Sequence, residues 1–435
     1  MRRCIVFIVS LIMLIPTVNA KRINVKRFGA LGNGTADDTE AIQRAVLSVK
    51  DGDVLIFPSG TYNIRPSVGN SDLIKLESLK DVTVKGRKSI LKILPNALPS
   101  YNVIKIHNCN NITIKKIVLQ GDRVGHDYKS CPGTHEFGYG IYVLGDSELF
   151  PVNVTIENCN IYDMTGDAIV TKNGVSSGTI NINSCQLHHC RRQGISVLDS
   201  DEIIICDCNI FEIGTSNNVA GTAPMAGIDI EPRSGTKRVN RVLVRNSSIL
   251  NCDYISIVGD PTYIEVYDST LEDMSIHENT TYDIIPSGRI ARVLFKADSD
   301  KKLHYGFKFF ELHDCTFDLA PVSLTEIWAA GLYNCTLSAH SVDDSKGYLL
   351  NCRAKASCCA FNNLNIINSN SSHMGEQDHN IYNSCHFVLY STPKYPFKNC
   401  SFFNCTSDKS YSQTVYLENC TVQGDFLRNP IEWGK

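Results

Sequence analysis

An Asn-Cys step, or a close variant of it, recurs down most of this 435-residue chain. It stands at Asn108-Cys109, Asn158-Cys159, Ser184-Cys185, Asp207-Cys208, Asp314-Cys315, Asn334-Cys335, Ser384-Cys385, Asn399-Cys400 and Asn419-Cys420. Many of the gaps are about 20 to 26 residues or near multiples of that, the length of one solenoid coil. In such a chain each coil buries its apolar side on its neighbours, so one core extends along the whole array. Between the marks lie short β-branched runs, such as Val152 to Ile156, Thr179 to Ile182 and Val242 to Val244, in which apolar and polar residues alternate. They read as strands, separated by turns rich in Asn, Gly, Asp and Ser. Helical spacing is confined to Thr39 to Val49, where Ile42, Ala45, Val46 and Val49 share a face behind Asp38 as a candidate N-cap. Such a helix would cover the open end of the core. The expected fold is all-β: a single-stranded right-handed parallel β-helix, a solenoid with an N-terminal capping helix.

Stacking gives the repeated residues a packing role. Equivalent positions in successive coils lie about 4.8 Å apart, so a repeated Asn can form an amide ladder and a repeated Cys a buried apolar column. The chain has 18 cysteines. Loss of Cys4 with a leader leaves an odd number, so at least one thiol stays free. Buried free thiols are the expected state, with disulfides between stacked cysteines as an alternative and the adjacent Cys358-Cys359 the hardest to assign. A zinc site would need paired Cys-x-x-Cys spacing, and only Cys206-x-Cys208 comes near it.

Arg2 and Arg3, an apolar run from Cys4 to Ile15, and Val18-Asn19-Ala20 make a secretory signal with a small-residue cleavage site. The expected organisation is a signal peptide over 1–20 and a β-helix over 21–435. Residues 21–62 supply the cap and first coils, 120–235 the candidate active-site coils and 290–435 the C-terminal coils. The expected location is secreted, periplasmic or extracellular, with no membrane insertion after cleavage, since the apolar run is shorter than a span. A formal net charge of -3 removes the electrostatic footprint of a nucleic-acid binder. Oligomeric state is beyond the sequence.

Residues 23–62 carry Ile23-Asn24-Val25-Lys26-Arg27-Phe28-Gly29-Ala30, Gly32-Asn33-Gly34-Thr35-Ala36-Asp37-Asp38-Thr39 and Phe57-Pro58-Ser59-Gly60-Thr61-Tyr62. This closely resembles the N-terminal segment of the pectate-lyase-like superfamily, which includes polygalacturonases, polysaccharide lyases and phage tailspikes. The resemblance implies the cap and first coils, so Asp37 and Asp38 read as structural. The polygalacturonase signatures Asn-Thr-Asp, Gly-His-Gly and Arg-Ile-Lys are missing. The middle of the chain is instead similar to bacterial β-helix proteins with Gly-Asp-Arg-x-x-His, here Gly121 to His126. There follow Glu136 to Ile141, Gly166-Asp167-Ala168-Ile169, Arg192-Gln193-Gly194-Ile195 and Gly227-Ile228-Asp229-Ile230-Glu231-Pro232. That similarity implies a carbohydrate-active protein and no particular substrate.

Gly140-Ile141, Ala168-Ile169, Gly194-Ile195 and Gly227-Ile228 fall about one coil apart and should stack as one sheet. With the isoleucines inward, Tyr142, Val170, Ser196 and Asp229 point outward, Glu231 joins Asp229 on the same face, and the small residues leave a trough. Asp167 and Asp229 then face solvent two rungs, or roughly 10 Å, apart. The candidate catalytic groups are Asp167, Asp229, Glu231, Asp122 and Glu136, with Arg192, Gln193, Arg123, His126 and Tyr139 as substrate-binding groups and no metal ligand. Asp122, His126 and Glu136 would form one wall of the cleft. Each has a plainer alternative: Asp167 as a turn residue, Glu231 paired with Arg233, Arg192 bound to backbone carbonyls, His135 as a loop residue. Convergence on about four successive coils favours a site.

The expected partner is a polysaccharide. Glycoside hydrolysis needs two carboxylates and no cofactor. Lyase or C5-epimerase action on a uronic-acid polymer is the alternative, with Arg192, Arg123 or Ca²⁺ neutralising the uronate. A third reading is a non-catalytic glycan-binding or adhesion solenoid, in which Phe402, Phe403 and Tyr411 meet sugars or, more simply, fill the core.

Overall fold

The computed structural model describes residues 20–146, 151–173, 177–232, 239–278, 285–296, 304–319, 325–338, 348–352, 356–357, 359–368, 376–389, 395–407, 415–424 and 430–432. Strands pair in parallel from Arg22–Asn24 to Pro430–Glu432, each with the strand one coil further on. A first sheet stacks Ile169–Lys172, Ile195–Leu198, Ala226–Glu231, Ile255–Gly259 and Met274–Ile276. A second stacks Val154–Glu157, Thr179–Asn183, Glu202–Cys206 and Arg241–Arg245. The third stacks Asn160–Tyr162, Gln186–His188, Asn209–Ile213 and Ser248–Cys252. The chain is a right-handed parallel β-helix, the hand that right-twisted strands favour.

Period-two alternation puts Ile141, Ile169, Ile195 and Ile228 of the first sheet, and Ile156, Ile182 and Ile205 of the second, into the core with no exposed surface. The recurrent Asn-Cys step is the bend between the second and third sheets. Asn158, Ser184, Asp207, Asp314 and Asn334 hold φ between 52° and 54°, the left-handed region that Asn and Asp enter more cheaply than other side-chain-bearing residues. This, rather than a buried amide ladder, accounts for the repeated Asn: Asn158 itself is exposed.

The bend turns the next side chain inward. Cys159 Sγ lies 3.4 Å from Glu157 O and 3.7 Å from Ile114 O of the preceding coil. Cys185, Cys208, Cys335 and Cys385 repeat the arrangement. The cysteines of these bends are thiols, and Cys159, Cys185, Cys208, Cys335 and Cys385 are buried. Cys4 and Cys358 lie outside the described residues, as does all of the signal segment but Ala20.

The helix Thr39–Leu47 seats Ile42 and Ala45 against the end of the core. Asp38 occupies the N-cap position, but its carboxylate accepts from Leu31 N at 2.6 Å and Gly32 N at 3.0 Å instead of capping the helix. Asp37 Oδ1 accepts from Thr39 N at 3.0 Å. Both acids therefore tie the approach loop to the cap. Phe402 is core and Phe403 is half-buried, while Tyr411 and Arg233 lie outside the described residues. Among the described residues no helix is long and apolar enough to cross a membrane.

Candidate active site

Two of the proposed acids meet in one hydrogen-bond network on the outer side of the first sheet. Ser196 is in register with Asp229, and Leu198 with Glu231. Asp167 Oδ2 accepts from Arg192 Nη1 at 3.0 Å and from Ser196 Oγ at 2.7 Å. Arg192 Nη1 also donates to Gln193 Oε1 at 2.9 Å, and Gln193 Nε2 donates to Asp229 Oδ2. The sheet direction is as the alternation requires, yet Asp167 does not face solvent. Its side chain is 0% exposed, because Arg192, Gln193 and Ser196 close over it. Burial pushes its carboxyl up to about 6 even beside the Arg192 guanidinium.

Asp229 lies at the mouth of a cleft of about 400 Å³ lined by Arg192, Glu231, Tyr254, Asp260 and His277 among others. Burial, and then the charge of Glu231, raise the Asp229 carboxyl to about 7. Asp260 is also raised, chiefly by burial, with His277 opposing and Glu231 adding to the shift. Asp260 N donates to Ile230 O at 3.0 Å, which sets Asp260 one rung beyond Glu231. The close approach there requires Gly259, at φ +140°, since a Cβ would fall 2.1 Å from Ile230 O.

The small residues of this sheet do not floor a trough. A Cβ at Gly140, Gly194 or Gly227 would strike the Cγ2 methyls of Ile161, Ile210 and Ile249, so these glycines let the third sheet's isoleucines pack close to the first sheet's backbone. The wall expected from Asp122, His126 and Glu136 is also different. Asp122 and His126 have no side-chain exposure. Asp122 Oδ1 accepts from Tyr101 OH at 2.6 Å, and His126 bridges from Asp122 at 2.8 Å to His135 at 2.9 Å. His135 thus belongs to a buried chain rather than to a free loop. Arg123, expected to bind substrate, is fully buried; its guanidinium donates to His189 O at 2.7 Å, Val219 O at 2.9 Å and Gly214 O. Arg191 holds the same two segments from outside, donating to His135 O at 3.0 Å and Ala220 O at 3.1 Å over the Tyr128 ring. These arginines clasp residues 214–220, and the chain then runs directly into Ala223 and Pro224 of the cleft wall.

The fold therefore gathers Asp167, Arg192, Gln193, Asp229 and Glu231, and brings Glu136 and Tyr139 within electrostatic reach of Arg192. It sets Asp122, Arg123 and His126 beneath the surface. Tyr254, Asp260 and His277 carry no mark that sequence reasoning could have used, since each comes from a coil beyond the Gly-Ile pattern. For the Ca²⁺ considered with a lyase, the donor set does not fit: among the described residues no group of three or more carboxylates, histidines and cysteines could hold a metal ion.

Residues 22–223 match the family described as Rhamnogalacturonase A/epimerase, pectate lyase-like. Over that stretch the chain is similar to pectate-lyase-like proteins. The matched stretch holds Asp167, Arg192 and Gln193 and ends before Asp229. The chain is 33% identical over 228 residues to an uncharacterized Bacillus subtilis (strain 168) protein, YclG, covering 48% of this chain and 38% of the relative. It is 24% identical over 226 residues to the pre-neck appendage protein of Bacillus phage B103, covering 48% of this chain and 25% of that one. The chain thus spans well under half the length of these relatives. Bacteriophage phi29 gene product 12, in its pre-mature form, has the same fold at a TM-score of 0.50 and 15% identity, over 95% of this chain and 57% of that one.

Proposed function

We propose that this pectate-lyase-like chain is an exported enzyme that hydrolyses glycosidic bonds in a polysaccharide. The observation that carries the reading is Asp229, a carboxyl raised to about 7 at the mouth of a cleft, with Glu231 beside it. A raised carboxyl with a second carboxyl group beside it is the pairing that acid-base glycoside cleavage uses. Gln193 Nε2 donates to Asp229 Oδ2, which leaves Oδ1 to carry the proton. In the proposed step that proton passes to the leaving glycosidic oxygen as the C–O bond breaks. Water adds to the anomeric carbon, and its proton goes to the Glu231 carboxylate. Backbone positions two apart on a strand stand about 6.6 Å from each other, room for that water. The described cleft places Arg192 against Asp167, so Arg192 enters with its charge already matched, which disfavours the lyase and epimerase alternative. The family description, which names a rhamnogalacturonase, supports action on polysaccharide.

The test is incubation with neutral and uronic polysaccharides while following reducing ends and unsaturated-product absorbance together. Reducing ends without new absorbance are expected, kcat/KM should fall as pH rises through about 7, and Asp229→Asn should lose about 10²- to 10⁴-fold. New absorbance would replace hydrolase with lyase. A second reading, a glycan-binding appendage without catalysis, is favoured by the appendage names of the phage relatives. It predicts binding with no product of either kind.

A further inference from the structure

The Asp229 cleft does not end at His277. Along the same face lies a second hollow of about 200 Å³, lined by His277, Glu278, Gly306, Lys308, Phe309 and Trp328 among others, so His277 borders both. The register explains its shape. Ser275 is in register with Gly306, and Gly306 with Trp328. Their neighbours Tyr305, Phe307, Ile327 and Ala329 fill the core, so this column points outward. Gly306 contributes no side chain to it, and a Cβ there would meet Ser275 Oγ at 2.4 Å. Ser275 thus packs against the bare Gly306 backbone, and the half-buried Trp328 lines the hollow beyond it. Polar groups ring it: Ser275 Oγ lies 2.8 Å from His277 Nε2, and Lys308 Nζ lies 3.1 Å from Glu278 Oε1 while sitting over the Phe309 ring.

We infer that this hollow is a sugar subsite for the polysaccharide chain held at Asp229, and that the sugar units it accepts are uncharged. The inference rests on the polysaccharide reading above and adds the substrate class. A flat aromatic face beside hydrogen-bonding side chains matches a pyranose ring, apolar across its C–H face and polar at its rim. Charge decides between neutral and uronic units. The cationic Lys and Arg side chains lining the two hollows, Lys308 and Arg192, each face a carboxylate, Glu278 and Asp167. The remaining charged lining is acidic, with Glu231 and Asp260 next to Asp229. A polyuronate would bring a further negative charge with every unit into that groove, where among the described lining residues no Lys or Arg is unmatched to offset it. From the Arg192 coil to the Trp328 coil is five rungs, about 24 Å at about 4.8 Å per rung. A groove of that length with Asp229 near one end holds an internal stretch of a chain.

The experiment is affinity electrophoresis of the full chain in gels cast with galactan, arabinan, xylan or β-glucan, and with polygalacturonate or alginate. Tryptophan fluorescence is followed in solution with the same glycans. At least one neutral glycan is expected to retard the parent and shift its emission, with neither polyuronate doing so. Trp328→Ala should weaken that retardation at least tenfold, and Trp328→Phe should restore part of it. Circular dichroism and melting of each variant separate loss of binding from loss of fold. Retardation by a polyuronate, no retardation by any neutral glycan, or a folded Trp328→Ala that binds as the parent does would each overturn the inference. Trp328-dependent binding without reducing ends would leave the subsite standing and remove the hydrolase. Cleavage that Trp328→Ala leaves untouched would do the opposite.

Discussion

Asp229 and Asp167 sit in one network, and both carboxyls are raised by burial, in different pH windows. Asp229 is raised to about 7, so in the folded chain its charged form is the disfavoured one. The folded protein keeps a proton that the unfolded chain releases near pH 4, and this group's contribution to stability therefore falls as pH rises from about 4 through about 7. Asp229→Asn removes that loss. It is expected to melt above the parent at pH 8, by as much as ~3 kcal/mol, and to match it near pH 4.5. Asp167→Asn should gain on the parent over a lower window, as pH rises from about 4 through about 6, because burial raises that carboxyl too, and by less than Asp229→Asn, since Arg192 and Ser196 hydrogen-bond its charged form. Melting curves of both variants at the two pH values check this. Equal behaviour of the two would mean that the Arg192 pairing does not discriminate them.

The bend between the second and third sheets is the element that repeats most faithfully, and its two residues do separate work. Asn158 turns the chain with φ 54°, and Cys159 fills the space this creates under the preceding coil. Asn158→Gly should leave stability within about 0.5 kcal/mol, while Asn158→Val should lose about 1–2 kcal/mol, the strain of a β-branched residue in the left-handed region. Urea titration of both variants measures the difference. The Cys185 and Cys190 thiols should stay unreactive to aqueous reagents until the coils open, since the hydrogen bond with Cys159 and then burial raise Cys185, and burial raises Cys190, to about 12. Rapid labelling of the native protein at Cys185 or Cys190 would refute the packing role.

Across the whole molecule each coil leans on its neighbours, so the first coil needs something other than a coil to lean on. The helix Thr39–Leu47 supplies it, with Ile42 only 1% exposed. Ile42→Asp buries a charge at that end and should cost at least about 3 kcal/mol, whereas Leu47→Asp, on the helix's 85% exposed side, should change stability by less than about 0.5 kcal/mol. Thermal unfolding of the pair, with light scattering to detect association of the uncovered end, tests the capping role.

The solenoid, its cap and the outward aim of Asp229 and Glu231 follow from local rules: a coil-length period, strand alternation and the left-handed tolerance of Asn can all be read from neighbouring residues. The depth of a side chain cannot. Asp167 was legible as an outward residue and yet has no exposed surface, because Arg192 and Gln193, a coil further on, fold back across it. Arg123 looked like a surface cation, but Gly214 and Val219, 91 and 96 residues away, supply the carbonyls that bury it. Tyr254, Asp260 and His277 join the cleft from coils whose sequence carries no shared mark with Asp229. Which way a strand residue points can be read from its neighbours in the chain, since that depends on the backbone's own periodicity. What covers it is set only on folding, because covering groups arrive from other coils, and with them come the burial and neighbouring charge that shift the Asp167 and Asp229 carboxyls.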